Sequence, residues 1–382
     1  MRVHERNGWA AIVAATVLVG GCGDEGAGSS TGVLEPCSDL STGYEGDELC
    51  LEEPSPDEGF QLHFGPESYD EASMEPFLIY PGEENVECIY LNTPNDQEVW
   101  VKEFHGRVRP VSHHMITYVL DEDVEDNDLP KGCDFGDTSS TFLLGSQEPT
   151  VDISAEDAAP EHEGYALRIG PNQQARIELH YINTTSEPML REAWINVKYA
   201  DVSEVTEEMS PLFWIAELDK EIDPNAEDLM QGNAVVPNDA DPNLELIQIT
   251  GHFHAHTERM TAWLTDASRE TPCTAGVLGE GADLDGCTRL YEGYDYTDPG
   301  WVRFDSIHDN PAPNPDQRVA GGDYDGNLNL EPGDRIDWEC EIHNDLNDAL
   351  PFANAAETAE MCNIFGTYAP SMGGDPWAEY NF

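Results

Sequence analysis

The sequence predicts an all-β protein of two consecutive antiparallel β-sandwiches, jelly-roll-like, with a cleft between them. Three observations point there. Helical periodicity is poor along the 382 residues. Short runs of alternating apolar and polar residues recur instead. Gly, Pro, Asn and Asp, including 33 glycines and 26 prolines, punctuate those runs. The best strand candidates are "EVWVKEF", "HMITYVL", "ARIELHYI", "AWINVKYA", "LELIQITGHFHAHT", "RMTAWLT" and "DRIDWECEIH". Two hairpins are expected to turn at "GPNQ" and "EPGD", where proline and glycine supply the turn dihedrals. Roughly 330 residues of folded chain exceed one typical domain. The weakly hydrophobic "VSEVTEEMSP" at 202–211 is the natural boundary, giving an N-terminal domain at 56–205 and a C-terminal domain at 206–382.

The first residues concern export. "MRVHERNGWAAIVAATVLVGGC" carries Arg2 and Arg6, then the apolar run Ala10–Val19, then two glycines and Cys22. A basic region followed by an apolar run too short to span a bilayer is a secretory leader. The cysteine directly after two small residues resembles a bacterial lipoprotein cleavage site. Residues 1–21 are therefore expected to be removed and Cys22 lipidated. Residues 22–55, opening with "GDEGAGSSTG" after Cys22, are expected to form a flexible, lipid-anchored tether. The expected location is outside the cytoplasm, lipid-anchored at the outer membrane or cell surface, or secreted. The lipid anchor is the expected membrane attachment, and the expected state is a monomer.

Setting Cys22 aside leaves eight of the nine cysteines, an even number suited to an oxidising compartment. They fall in sequential couples, so the expected disulfides are Cys37/Cys50, Cys88/Cys133, Cys273/Cys287 and Cys340/Cys362. No CxxC spacing competes with that reading. The formal net charge is −60, with 17 Lys and Arg against 77 Asp and Glu. A surface so acidic excludes nucleic acid as a partner, because phosphate binding requires neutralisation by Lys and Arg. Self-repulsion at this charge is relieved by salt screening, and a saline habitat is expected.

Four short stretches carry the candidate chemistry. In "TGHFHAHTERM", His252, His254 and His256 alternate. Alternate strand residues share a face about 7 Å apart, so two imidazoles can lean onto one metal at bonds of roughly 2 Å. Three cannot without bending the strand. The geometry alone leaves His252/His254 and His254/His256 both open, beside a solvated polar face. In "VSHHMITYVL", His113 and His114 are adjacent; they reach one metal only where the strand begins or bulges. His180 stands alone in "RIELHYINTT", and Met361 precedes Cys362 in "TAEMCNIF".

Taken in order, His113-His114, His180, His252-Phe253-His254 and Met361-Cys362-Asn363 resemble the copper type II, ascorbate-dependent monooxygenases, the peptidylglycine α-hydroxylating and dopamine β-monooxygenase family. The resemblance covers roughly residues 60–370. Cys88 and Cys133 around the His-His-Met segment, "EPGDRIDWECEIHND" and "ANAAETAEMCN" add to it. It implies His252/His254 as the ligand pair, with His256 a neighbour. It implies two coppers per chain, one on His113, His114 and His180, the other on His252, His254 and Met361. The latter three are the catalytic residues it implies. Ligand chemistry agrees, since imidazole suits copper in either oxidation state and a thioether selects Cu(I). Ascorbate or another one-electron reductant would supply electrons, and O₂ would hydroxylate a C–H bond of a small-molecule substrate. The second electron would cross an open cleft.

The chain departs from the peptide-acting branch at Thr250, where that branch has an arginine, and at Phe365, where it has a tyrosine. A C-terminal glycine substrate is therefore not expected, and an aromatic, amine or lipid-like substrate stays open. The alternative function is a copper-scavenging surface lipoprotein without turnover. A zinc hydrolase is a third reading, disfavoured because zinc gains nothing from methionine. The acidic loops 273–287 and 308–327 are candidates for shaping the cleft. "DYDGNLNLEPGD" is expected to be a solvated turn rather than a calcium loop. His63, His105, His162, His308 and His343 lack ligand spacing and are expected at the surface.

Overall fold

Sheet membership changes once along the chain, at Met209. In the computed structural model, which describes residues 37, 40–120, 124, 127–133, 140–153, 158–217, 219–274, 285–353 and 355–372, strands before that point pair only among themselves, and so do those after it. The leader, Cys22 and the tether as far as residue 36 lie outside the described residues. Among those described, no helix is long and apolar enough to cross a membrane.

The N-terminal sandwich opposes two sheets. One runs Gly59–Phe64, Ala193–Tyr199, Val99–Val108, Tyr165–Ile169 in spatial order. The other runs Asn127–Gly132, Glu84–Asn92, Gln174–Ile182, Ser112–Leu120, Ser140–Ser146. Phe60, Leu62, Phe104, Ile177, Leu179 and Ile195 are among the residues that fill the space between them, all buried. The two-residue strand Glu207–Glu208 pairs in parallel with Tyr165–Ala166, so this sandwich extends a few residues past the boundary drawn from composition.

The boundary at the other end needs a larger correction. Cys50, expected within a flexible tether, is instead only 5% exposed, and so is Leu51 beside it. The Cys50 carbonyl accepts from the Cys37 amide at 3.3 Å, next to the disulfide that joins them. Sandwich side chains grip the flanking residues. Gln61 Nε2 donates to the Leu51 carbonyl at 2.9 Å and Asn196 Nδ2 to the Glu52 carbonyl at 2.8 Å. The buried Arg109 pairs with Asp47 at 2.8 Å and donates to the Glu45 carbonyl. A buried guanidinium needs such partners, and Asp47 supplies one beside the buried Glu192, also at 2.8 Å. The Gly- and Ser-rich composition that signals a tether ends well before this stretch, and residues 40–55 belong to the N-terminal sandwich.

The C-terminal sandwich opposes Ser210–Ile215, Cys362–Ala369, Glu245–Phe253 and Val302–Arg303 to Ala226–Val235, Arg335–Asn344, Thr257–Thr265 and Cys287–Gly293. Its core is centred on Trp214 and Trp338, stacked at 6.0 Å between ring centroids. All other strand pairs in both sandwiches are antiparallel.

The sandwiches pack into one compact unit. At their junction Phe142 of the first stacks on Phe365 of the second at 4.7 Å, and Phe365 stacks on Phe213 at 4.5 Å. Buried aromatic faces in offset contact hold such a junction by area and by ring electrostatics. All four expected disulfides, Cys37–Cys50, Cys88–Cys133, Cys273–Cys287 and Cys340–Cys362, are formed, which marks an oxidising compartment.

Candidate metal centre

His113 and His114 face the same way because their strand bulges. Along the Gln174–Ile182 strand, His180 pairs with His114 and Tyr181 with Ser112, so His113 is the extra residue between two consecutive pairs. Val111, just before, has φ of 66°, a rare value for a β-branched residue. The bulge turns the His113 ring onto the face that His114 and His180 occupy. The rings lie 5.3, 4.9 and 5.0 Å apart by centroid. One nitrogen from each of the three falls within 4.8 Å of the other two, close enough to share one ion.

His252 is the penultimate residue of its strand, opposite Asn363, with Phe253 opposite Cys362. The strand stops at Phe253, and the turn beyond brings the His254 ring to 5.4 Å from that of His252. The backbone amides of His254 and Met361 both donate to Glu360 Oε1, at 2.5 and 3.0 Å. That shared carboxylate sets the histidine and the methionine side by side. Met361 is buried, and its Sδ accepts from Asn363 Nδ2 at 3.6 Å. The Cys340–Cys362 disulfide pins the neighbouring residue. His256 turns away: its Nε2 lies 3.1 Å from the Glu357 carbonyl.

The two sets meet. His113 lies 5.4 Å from His254, and His114 lies 5.2 Å from His252. The expected open cleft is therefore replaced, at the histidines, by a closed junction. The stacked phenylalanines beside them account for it, because exposing those faces to water is unfavourable.

All five rings are buried, and each has one nitrogen without a hydrogen-bond partner: Nε2 of His113, His252 and His254, and Nδ1 of His114 and His180. Orphaned buried polar atoms are costly, and those of His113, His114 and His180 belong to residues close enough to share one ion. Burial pushes His113 down to about 2 and His252 to about 3, with nearby histidine charge adding to it. His114 and His254 are driven well below the usual imidazole range, chiefly by burial. Neutral imidazoles keep the lone pair a metal needs. In kind the donors suit copper: five imidazoles, and a buried methionine whose amide shares Glu360 Oε1 with that of His254.

Three carboxylates that sequence reasoning missed orient this array. Glu84 Oε1 lies 2.8 Å from His180 Nε2, and that contact is the leading cause of its lowered pKa. Glu178 Oε1 lies at a longer 3.4 Å from His114 Nε2, and its burial raises its pKa. Each fixes the outer nitrogen and leaves the inner one free. Glu360 is buried and raised to about 8 by desolvation. Glu178 stands two residues before His180 on one strand face, and Glu360 adjoins Met361, so both were open to period-two and neighbour reasoning. Glu84 was not, being 96 residues from His180.

A cavity of about 230 Å³ borders the histidines, lined by His114, His252 and Phe365. Glu148, Asp298 and Trp301 line it as well. Burial, then the charges of Asp298 and Asp295, raise the pKa of Glu148. Thr250 also lines it and donates to the Gly300 carbonyl at 2.6 Å; Gly300 has φ of 65°, which glycine adopts without strain. The wall thus comes from residues 298–301 and not from the acidic loop 308–327. In the candidate calcium turn, Asp323 pairs with Arg289 and Asp325 accepts from the Asn310 amide. Two histidines expected at the surface are buried, His105 against Asp152 and His162 beside Tyr165.

No family model matches this chain, and no curated protein does. Among solved structures it is similar to a glycoside hydrolase family 86 enzyme in complex with neoagarooctaose, at 11% identity. That match covers 76% of this chain and 34% of the other, with a TM-score of 0.15. It is also similar to a β-porphyranase of the same family from the human gut bacterium Bacteroides plebeius, at 8% identity. There the coverage is 84% and 38%, with a TM-score of 0.17. The chain spans little more than a third of their length. At these scores the likeness carries no argument about chemistry.

Proposed function

We propose that this chain is a copper-dependent monooxygenase that hydroxylates a C–H bond of a small organic substrate with O₂ and a one-electron reductant such as ascorbate. The observation that carries this reading is the gathering of five buried imidazoles, each with an orphaned nitrogen, with Met361 tied to His254 through their amides on Glu360. His113, His114 and His180 would hold one copper; His252, His254 and Met361 would hold the other. Copper supplies one-electron transfer and O₂ activation when bound.

The chain's own residues do the rest. Glu84 and Glu178 fix the tautomers of His180 and His114. Glu360 holds His254 and Met361 together through their amides. The stacked Phe142, Phe213 and Phe365 exclude water on one side. The cavity would offer the substrate a path to His252, with Phe365 and Trp301 as aromatic lining and Glu148 and Asp298 as acidic lining. Glu148 and Asp298, both lining the cavity, would favour a cation between them, so an amine bearing an apolar group fits best. Export and lipid attachment at Cys22 belong to the same proposal, resting on the leader sequence.

The test is anaerobic titration with Cu(I), followed by O₂ uptake with ascorbate over a panel of amines and carboxylates. Two coppers and an amine-dependent hydroxylated product are expected. Copper uptake without product identifies a scavenging lipoprotein instead, and a single tightly bound zinc ends both readings. Mass analysis of the protein from bacterial membranes would give a diacylglyceryl cysteine at Cys22; an unmodified mature terminus removes the anchor.

A further inference from the structure

The segment 355–361 concentrates contacts to the second histidine set. Its Ala359 carbonyl lies 3.3 Å from His254 Nδ1 and its Glu357 carbonyl 3.1 Å from His256 Nε2. Its Glu360 carboxylate takes the amides of His254 and Met361. One further contact leaves the C-terminal sandwich altogether. The Ala356 amide donates to Glu84 Oε1 at 3.1 Å, across 272 residues of sequence. The same Oε1 atom receives His180 Nε2 at 2.8 Å.

Glu84 can do this because of strand register. It begins the Glu84–Asn92 strand, and His180 pairs with Val86 on that strand. Glu84 and Val86 share a face, so Glu84 sits diagonal to His180, within reach of a long side chain. At the end of its strand it also projects toward the other sandwich. A single carboxylate oxygen therefore touches a ligand of the first set and the backbone of the segment that carries a ligand of the second.

We propose that Glu84 is a positioning residue that latches the two sandwiches together at the metal centre. It orients the His180 ring and holds segment 355–361 against the N-terminal sandwich. An ion pair or hydrogen bond within one sandwich, such as Glu178 with His114, orients one ligand only. Glu84 orients a ligand and closes the junction with the same atom, so the geometry of one set depends on the other. The latch itself needs only the contacts above; its effect on copper rests on the proposed function.

The experiment compares the full mature chain with Glu84→Ala and Glu84→Gln. Glutamine keeps a carbonyl oxygen able to accept both donors. The first readout is metal-free: amide hydrogen exchange at residues 355–361. Glu84→Ala should speed exchange at Ala356 and along that segment by about 10-fold or more. The Arg335–Asn344 strand in the same sandwich should be unmoved, and Glu84→Gln should recover most of the protection. Wild-type exchange at Ala356 in Glu84→Ala overturns the latch. So does equal acceleration in the Arg335–Asn344 strand, which signals general loosening.

The second readout is Cu(I) affinity by competition with a chromophoric chelator. Glu84→Ala should weaken the histidine-only set about 10–100-fold, with the sulfur-containing set weakened less. Equal loss at both sets contradicts the positioning role. A wild-type chain that takes up no copper removes the copper reading, while the exchange result still decides the latch.

Discussion

The two histidine sets solve the same problem with different materials. The N-terminal set lies on two adjacent strands of one sheet, and its rings are aimed by a bulge at His113 and by the carboxylates of Glu84 and Glu178. The C-terminal set sits where a strand ends. It is held by main-chain contacts, a shared Glu360 and the Cys340–Cys362 disulfide. Side-chain carboxylates tune each ring separately, whereas backbone contacts fix a whole segment. The first set should therefore respond to single polar substitutions and the second to loss of covalent or backbone restraint.

The largest effect should come from His252, which belongs to the methionine set and lines the cavity. His252→Ala is expected to lower ascorbate-dependent product formation by at least about 10³-fold, with the circular dichroism spectrum unchanged. Turnover near wild-type would show that this histidine is not a ligand. Next, replacing Cys340 and Cys362 together by alanine removes a closed loop and should lower the unfolding free energy by about 2–5 kcal/mol. Denaturant titration measures that loss. Copper affinity should fall at the methionine set and hold at the other; an even loss would erase the contrast drawn here.

Glu178→Gln sharpens the comparison from the other side. Copper affinity at the histidine-only set should fall about 10–100-fold, with the sulfur-containing set unmoved. A pH series on metal-free protein comes next. His113, His114, His252 and His254 have folded pKa values below the unfolded 6.5, His113 at about 2 and His252 at about 3. Between those values and 6.5 the unfolded chain binds protons that the folded chain refuses. Stability should therefore fall with decreasing pH across that window, by up to about 1.4 kcal/mol per pH unit per histidine. Chemical denaturation at pH 7, 6 and 5 checks the slope, and a flat profile would mean the rings are not buried neutral. The smallest effect is ionic. With a net charge of −60, the melting temperature should rise between low and molar salt, by about 2–4 °C per kcal/mol of relieved repulsion.

Much of this architecture was legible beforehand because its causes are local, but the two expected hairpins do not form: the strands flanking "GPNQ", and those flanking "EPGD", lie in different sheets. Alternation along "ARIELHYI" and "AWINVKYA" reports a strand with one face toward a core, and both are strands at those places. The disulfide couples followed from cysteine order alone. Adjacent histidines were readable as a shared face only on condition of a bulge, and the bulge sits there. What escaped was long-range. Nothing near Glu84 announces His180 or Ala356, because a diagonal neighbour on another strand is set by register. The burial of Cys50 escaped for the same reason, since Gln61, Arg109 and Asn196 hold its neighbours from distant strands. Burial of His105 and His162 likewise depends on what packs over them. The closed junction escaped because it is made by Phe142, Phe213 and Phe365, each of which reads as ordinary core in its own strand.

X-ray absorption on the Cu(I)-loaded chain tests the central claim most directly. Five imidazoles and one thioether should appear as nitrogen scattering plus one sulfur per two coppers, and the sulfur shell should vanish in Met361→Ile while the histidine-only copper remains. A spectrum without sulfur in the wild-type chain, or one unchanged by Met361→Ile, would contradict the assignment of the two sets.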